Sequence, residues 1–400
     1  VTARPEVAFV VQRYGRGITG GSESLAREVA ERLAGDYAIT VFTSCAVDYV
    51  TWGNALPAGE SEEGGVTVRR FPSVAERDLA AFNAFSETLY RGTPTREEEL
   101  EWLRRQGPEV PALVDALAAD ANRFHAVVFF TYLYYPTYWG LARAGRRALL
   151  VPTTHDEPPL RFSIYDEVFA RPRAFAFLTG PEMELVRARF GVADRPAAVT
   201  GIGIGDPAAG DAGAFRRAKG LDGPYALYAG RIDAGKGCAE MVAHYAHYRA
   251  QGGTADLVLI GTLAMELPAA PGLRYLGFLS AEDKATAMAG ASVIVCSSPY
   301  ESLSIVLLEG FAAGVPGLVN ARSAVLKDHC LRANAGLFYE TADEFAAALD
   351  LLVTDEDLRS ALGQAGQRYV QSNYRWPAVL DRYRALIEAA ADESIRPGAD

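Results

Sequence analysis

Short apolar runs rich in β-branched and aromatic residues recur along the chain, separated by longer segments whose apolar positions repeat at helical spacing. The runs at residues 7–11 (VAFVV), 39–43, 66–71, 126–130, 148–151, 175–178 and 197–200 predict the strands of the first half. A second series stands at residues 225–229, 257–260, 273–276, 293–296 and 317–320. Between strands, residues 22–33, 74–90, 96–119, 182–190 and 238–249 read as helices, and Leu25, Val29 and Leu33 mark one apolar face of the first of them. Such alternation predicts an α/β protein built from two doubly wound parallel sheets. Residues 52–65 are polar and glycine-rich and read as a loop, and the aromatic stretch after residue 130 reads as another. Gly201, Gly203, Gly205, Pro207, Gly210 and Gly213 crowd a passage with the composition of an interdomain linker, so a first domain is expected over residues 1–200.

Half of the 400 residues are hydrophobic and 22% are charged, the balance of an ordinary globular chain. The formal net charge of −11 argues against a nucleic-acid partner, which would leave a basic footprint. Arg143, Arg146, Arg147, Arg171 and Arg173 could still form a local basic patch. Cys45, Cys238, Cys296 and Cys330 show no C-x-x-C spacing, so neither a zinc ribbon nor a redox dithiol is indicated, and a reduced cytoplasm is expected. The start of the sequence has no basic segment followed by a long apolar one, as a secretory signal would. The uncharged stretch 126–142 contains Pro136 and several tyrosines and is too short and too polar to cross a bilayer.

Candidate chemistry gathers at predicted strand ends, the rim where open parallel sheets bind ligands. Residues 300–320, YESLSIVLLEGFAAGVPGLVN, follow the strand at 293–296 and predict a helix stopped by Gly314 and Pro316. Glu301 then sits ahead of the helix, Glu309 two turns inside it, and the amides of Ser302, Leu303 and Ser304 form an N-terminus suited to an anion. An acid near a helix start also complements the dipole, so Glu301 alone carries either reading; the pair is the sharper signal. After the strand at 225–229, the loop Gly230-Arg231-Ile232-Asp233-Ala234-Gly235-Lys236-Gly237 places two cations where a diphosphate could take an Arg fork and a Lys point charge. It is not a Walker A loop, because Gly237 follows the lysine. Gly15 to Gly20 matches G-x-G-x-x-G, yet the second strand ends Thr43-Ser44-Cys45 without the acid that a dinucleotide ribose needs. Gly20-Gly21 remains as a backbone that a ligand can approach closely. His155 stands just past a strand end, either as a site residue or as a satisfied structural histidine. Asp355-Glu356-Asp357 reads as the capped and charged start of a helix rather than as a metal cluster.

Gly20-Gly21, His155, Gly230-Arg231, Lys236-Gly237, Glu301 and Glu309, in this order and placement, resemble the retaining glycosyltransferases of family 4, which have the GT-B fold. The resemblance covers nearly the whole chain. It implies two Rossmann-like domains facing a central cleft: residues 1–200 for the acceptor, 201–375 for a nucleotide-sugar donor. Tyr374-Arg375-Trp376 and the helical stretch through Tyr383 resemble the family's final helix, so residues 376–400 are expected to cross back onto the first domain. By the same resemblance, Arg231 and Lys236 bind the donor diphosphate, Gly230 belongs to the same donor site, and Glu309 accepts from the ribose hydroxyls. Glu301 contacts the donor sugar, His155 lies near it, and Gly20-Gly21 lie near the phosphate and the acceptor. Gly277 and Phe278, within YLGFL, border the nucleobase. His155, Arg231, Lys236 and Glu301 form the implied catalytic set, with no metal and no cofactor, the nucleotide-sugar being a substrate. Where the family often has an aromatic residue and then a glycine after the first glutamate, this chain has Leu303 and Ser304.

The acceptor class stays open among a sugar, a glycolipid and a small molecule, with room for peripheral contact at the inner face of a membrane. Two other readings share these residues. A sugar-nucleotide epimerase would turn over donor without an acceptor. A non-catalytic nucleotide-sugar-binding module would keep Arg231, Lys236 and Glu309 and transfer nothing. An NAD-dependent oxidoreductase rests on the glycine match alone.

Overall fold

The computed structural model describes residues 3–18, 20–144, 147–206 and 209–392; Arg146 and Pro207, and residues 393–400 of the expected final helix, lie outside it. The chain divides into two compact units. The first is Val1–Leu178, Glu182–Thr200 and Leu380–Asp400; the second is Thr179–Pro181 and Gly201–Val379.

The sheet of the first unit contains β1 (Glu6–Val10), β2 (Ala38–Ser44), β3 (Gly59–Glu63), β4 (Val66–Phe71), β5 (Ala126–Phe130), β6 (Ala148–Val151), β7 (Ala174–Phe177) and β8 (Ala197–Val199). They lie in the order β3-β4-β2-β1-β5-β6-β7-β8. All neighbours are parallel except β3 and β4, which form an antiparallel hairpin through Gly64-Gly65. The chain leaves β1 to pair first on one side and later, through β5, on the other. That makes the β1/β5 boundary a topological switch point, where a crevice opens outside the strand ends. The strand β5 is buried along its whole length, which explains why its sequence, AVVFF, is continuously apolar rather than alternating. Each such Val or Phe contributes roughly 1.5–3 kcal/mol relative to an exposed position.

The second unit contains β9 (Tyr225–Ala229), β10 (Asp256–Ile260), β11 (Leu273–Tyr275), β12 (Val293–Cys296), β13 (Gly317–Asn320) and β14 (Gly336–Tyr339). Their order is β11-β10-β9-β12-β13-β14, all parallel. Here the switch point falls between β9 and β12, so the loops that leave these two strands stand side by side. Two doubly wound, Rossmann-like sheets are thus present, as the alternation predicts.

Several boundaries differ from the sequence reading. Residues 52–65 are not all loop, because the Gly64-Gly65 turn folds the acidic β3 back as an exposed edge strand. The helix expected over 96–119 is two, Arg96–Gln106 and Pro111–Asp120; Gly107, at φ 72°, ends the first, and Pro111 opens the second. The one expected from residue 74 begins at Leu79, where Asp78 caps it by accepting from the Ala81 N–H. The aromatic segment after β5 coils into Tyr135–Leu141. The glycine-rich passage after residue 200 runs into the helix Ala212–Lys219. Asp355 does cap a helix, Glu356–Asn373, accepting from the Leu358 N–H. Arg173 is buried, with Nη1 on the Ala390 and Asp392 carbonyls, and Arg171 pairs with Glu167, so the arginines do not form one exposed basic patch. All four cysteines are buried free thiols. Among the described residues, no helix is long and apolar enough to cross a membrane.

Candidate functional site

At the switch point of the second unit, the loop that carries both cations meets Glu301. The chain leaves β9 at Gly230, whose N–H donates to the Ile260 carbonyl at 3.0 Å, and the Ile232 N–H donates to Thr262 at 2.8 Å. The loop is then held by Asp233. One carboxylate oxygen accepts from the Lys236 N–H at 2.9 Å, and the other from Arg231 Nε. Burial raises the Asp233 pKa, but these donors outweigh it and hold the carboxyl below its ordinary range. At the end of the loop Gly237 has φ 70°, and a Cβ there would stand 2.3 Å from the Ser297 carbonyl oxygen. Glycine is therefore what lets this loop lie against the end of β12. Ser297 Oγ returns a bond to the Lys236 carbonyl at 2.8 Å, and Asn320 Nδ2 donates to Ser297 O at 3.0 Å.

That contact brings Lys236 Nζ to 2.9 Å from Glu301 Oε1, with the lysine 37% and the glutamate 19% exposed. The two residues are 65 positions apart in sequence. Beyond Glu301 the chain differs from the expectation. The helix is Ile305–Ala312, and Ser304 precedes it in a left-handed conformation at φ 63°. The amides that open the helix are accordingly those of Ile305, Val306 and Leu307, not those of Ser302, Leu303 and Ser304. The cause is tertiary: Leu303 is buried, and its carbonyl accepts from His329 Nε2 at 2.9 Å, which holds the residue out of the helix. Because that carbonyl is an acceptor, Nε2 carries the proton and Nδ1 accepts from the Tyr369 hydroxyl at 3.1 Å. Burial drives the His329 imidazole down to about 4.

Glu309 lies one helical turn past Ile305, not two turns inside. Its Oε2 accepts from Lys284 Nζ at 2.5 Å. Both side chains line a cavity of ≈ 800 Å³ with Gly203, Ile204, Gly205, Met288 and Ile305 among its walls. Glu309 is the one residue nominated from sequence that lines this space; Arg231, Lys236 and Glu301 stand outside it. The Gly277 carbonyl accepts from the Gly261 N–H at 2.9 Å, which ties the loop after β11 to the end of β10, and the Phe278 ring is 80% exposed. Asp233, Lys284 and His329 carried no signal in the sequence reading, although Asp233 sits inside the very loop that was singled out.

In the first unit Gly20 and Gly21 open the helix Gly21–Leu33 at the end of the β1 loop. A Cβ on Gly20 would stand 2.2 Å from Glu23 Oε2, because Glu23 folds back to meet Arg13. Arg13 Nη2 and Nε donate to Glu23 Oε1 at 2.5 and 2.9 Å, and Nη1 donates to the Val47 carbonyl at 2.8 Å. This buried ion pair pins both ends of the glycine loop and was missed in sequence. After β6, His155 Nε2 lies 3.4 Å from Glu157 Oε2, and Glu157 Oε1 accepts from the Tyr132 hydroxyl at 2.8 Å. Burial raises the Glu157 carboxyl, with His155 and the Tyr132 bond working against it. Glu182 secures the loop from below, accepting from the Thr154 and Leu178 N–H groups at 2.6 Å each.

Comparison with known proteins agrees with this fold. Solved structures match almost end to end, and the fold is that of the GT-B glycosyltransferases. Sucrose-phosphate synthase from Thermosynechococcus elongatus superposes with a TM-score of 0.69 at 18% identity, covering 96% of this chain and 100% of that one. HepE of Anabaena, solved in complex with UDP and glucose, superposes with a TM-score of 0.68 at 13% identity, covering 96% and 99%. Residues 213–369, within the second unit, match the Glycosyl transferases group 1 family. The lipopolysaccharide core biosynthesis glycosyltransferase LpsE of Rhizobium meliloti is 30% identical over 127 residues, 31% of this chain and 36% of LpsE. The chain thus spans about a third of that relative's length in the match. Together these findings show the fold of the GT-B glycosyltransferases and a second unit similar to the Glycosyl transferases group 1 family.

Proposed function

We propose that this chain is a retaining, metal-independent glycosyltransferase of the family 4 type, moving a hexosyl or related sugar from a nucleotide-sugar to an acceptor hydroxyl. The observation that carries the reading is the meeting of Lys236 with Glu301 at 2.9 Å, beside Arg231, at the switch point of a sheet that matches Glycosyl transferases group 1. As the glycosidic bond to phosphate breaks, negative charge grows on the diphosphate while the anomeric carbon becomes positive. Arg231, Lys236 and the amides at Ile305 to Leu307 stabilise that leaving charge. The phosphate oxygen takes the acceptor's proton on the leaving face, so attack from that face retains configuration without a protein nucleophile. Glu301 orients the sugar, Glu309 accepts from the ribose hydroxyls, and Gly277-Phe278 border the base. The first unit is assigned the acceptor side, with His155 and Gly20-Gly21 as its candidate residues.

HepE was solved with UDP-glucose, and a trehalose-6-phosphate protein of E. coli with UDP-2-fluoro glucose; UDP-sugars are therefore the first donors to try. The lipopolysaccharide assignment of LpsE makes a saccharide on a lipid the first acceptor class to try. Thermal-shift screening of UDP-, GDP-, ADP- and dTDP-sugars selects the donor, since a ligand bound only by the native state raises Tm. The selected donor is then incubated with acceptors, and the fresh product from an α-linked donor is read by proton NMR. An α-linked product is expected. A β-linked product overturns retention, donor interconversion without acceptor favours the epimerase, and binding without transfer to any acceptor favours a binding module.

A further inference from the structure

Lys284 has no explanation in its own helix. It stands in the first turn of Ala281–Ala289, after the Ser280 cap, where the dipole disfavours a cation. Its single side-chain partner among the described residues is Glu309, at 2.5 Å, and Glu309 has no other polar partner there. Both side chains are 32% exposed, so the pair adds little to the stability of the fold. Both face the ≈ 800 Å³ cavity. A lone carboxylate in a site that receives a nucleoside diphosphate would repel the ligand's charge, and a flexible one would lose entropy on binding.

We propose that Lys284 is a positioning residue of the donor site: its ammonium holds Oε2 of Glu309 and offsets the carboxylate's charge, leaving Oε1 to accept from the ribose of a nucleoside diphosphate. This rests on the assignment of Glu309 to the ribose. A carboxylate has lone pairs enough for an ammonium and a diol together, so the ligand need not displace Lys284.

Calorimetric titration of UDP into the full chain tests this, with GDP and ADP in the same series. Lys284→Ala is expected to weaken binding on the order of 10-fold while Tm moves by less than ~2 °C. Lys284→Arg should recover most of the affinity. The double variant Lys284→Ala/Glu309→Ala should bind no more weakly than Glu309→Ala alone, because the lysine acts through the glutamate. Uridine, which lacks the phosphates, should lose less than UDP does. If Glu309→Ala weakens UDP while Lys284→Ala binds as well as the unaltered chain or better, this inference fails and the donor reading stands. Additive losses in the double variant would also overturn it, by making Lys284 an independent contact. Should Glu309→Ala bind all three diphosphates normally, or should the unaltered chain bind none, the ribose assignment falls and this inference falls with it.

Discussion

The Glu309 carboxylate projects into the cavity wall from a short helix whose opposite face, through Leu307, Leu308 and Phe311, is buried. Truncation there removes a charge-assisted acceptor and leaves the packed face intact. Glu309→Ala is expected to weaken nucleoside-diphosphate binding by roughly 1.5–3 kcal/mol with little loss of stability. Calorimetry beside a thermal melt reads both quantities, and unchanged affinity would remove the residue from the site. Glu23 behaves in the opposite way. It is buried against Arg13, so Glu23→Ala strands a buried guanidinium and should cost about 3–5 kcal/mol of stability. Chemical denaturation measures that, and a loss below ~1 kcal/mol would show that the pair is no more than a surface contact. Sequence made Glu309 legible because a carboxylate inside a helix that follows a strand is a recognisable pattern. Glu23 was silent, because a first-turn acid is common and its partner, Arg13, lies on the far side of the glycine loop.

At the scale of elements, the segment between β12 and the helix Ile305–Ala312 shows how a neighbour decides what a local pattern leaves open. Apolar spacing placed a helix here, but the bond from His329 to the Leu303 carbonyl sets where it starts. Burial of that imidazole makes the segment sensitive to acid, with the bond to Leu303 working against the shift. The imidazole is held near 4 in the folded protein against 6.5 in a free chain, so between those values the unfolded state binds more protons. Stability is therefore full above pH 6.5 and falls as pH drops toward 4, by an amount on the order of 3 kcal/mol. Melts from pH 7 to 4 should show a shallower fall for His329→Gln, which can still donate to Leu303; an identical slope would mean that another group dominates. The division of residues 96–119 into two helices has a similar lesson. Gly107 and Pro111 were in plain view, yet the charged run around them still read as one solvated face.

For the whole molecule, the proposed function has Arg231, Lys236 and a helix terminus supply the positive charge that other transferases take from Mg²⁺. Transfer is expected to persist in excess EDTA, measured in an assay that itself needs no divalent ion. Complete loss of transfer, restored by Mg²⁺ or Mn²⁺, would falsify the leaving-group assignment.

Strand-helix alternation, the parallel sheets and the candidate loops were determined by the sequence itself, because burial on both faces of a parallel sheet writes continuous apolar runs. Which residues meet was decided only by the tertiary structure. Lys236 and Glu301 are 65 positions apart, Lys284 and Glu309 are 25 apart, and His329 reaches back 26 to Leu303. Local periodicity carries no information over such separations. Strand order does, because β9 and β12 are neighbours only when the sheet is assembled, and that adjacency sets the glycine-bearing loop after β9 beside the loop after β12 that carries Glu301.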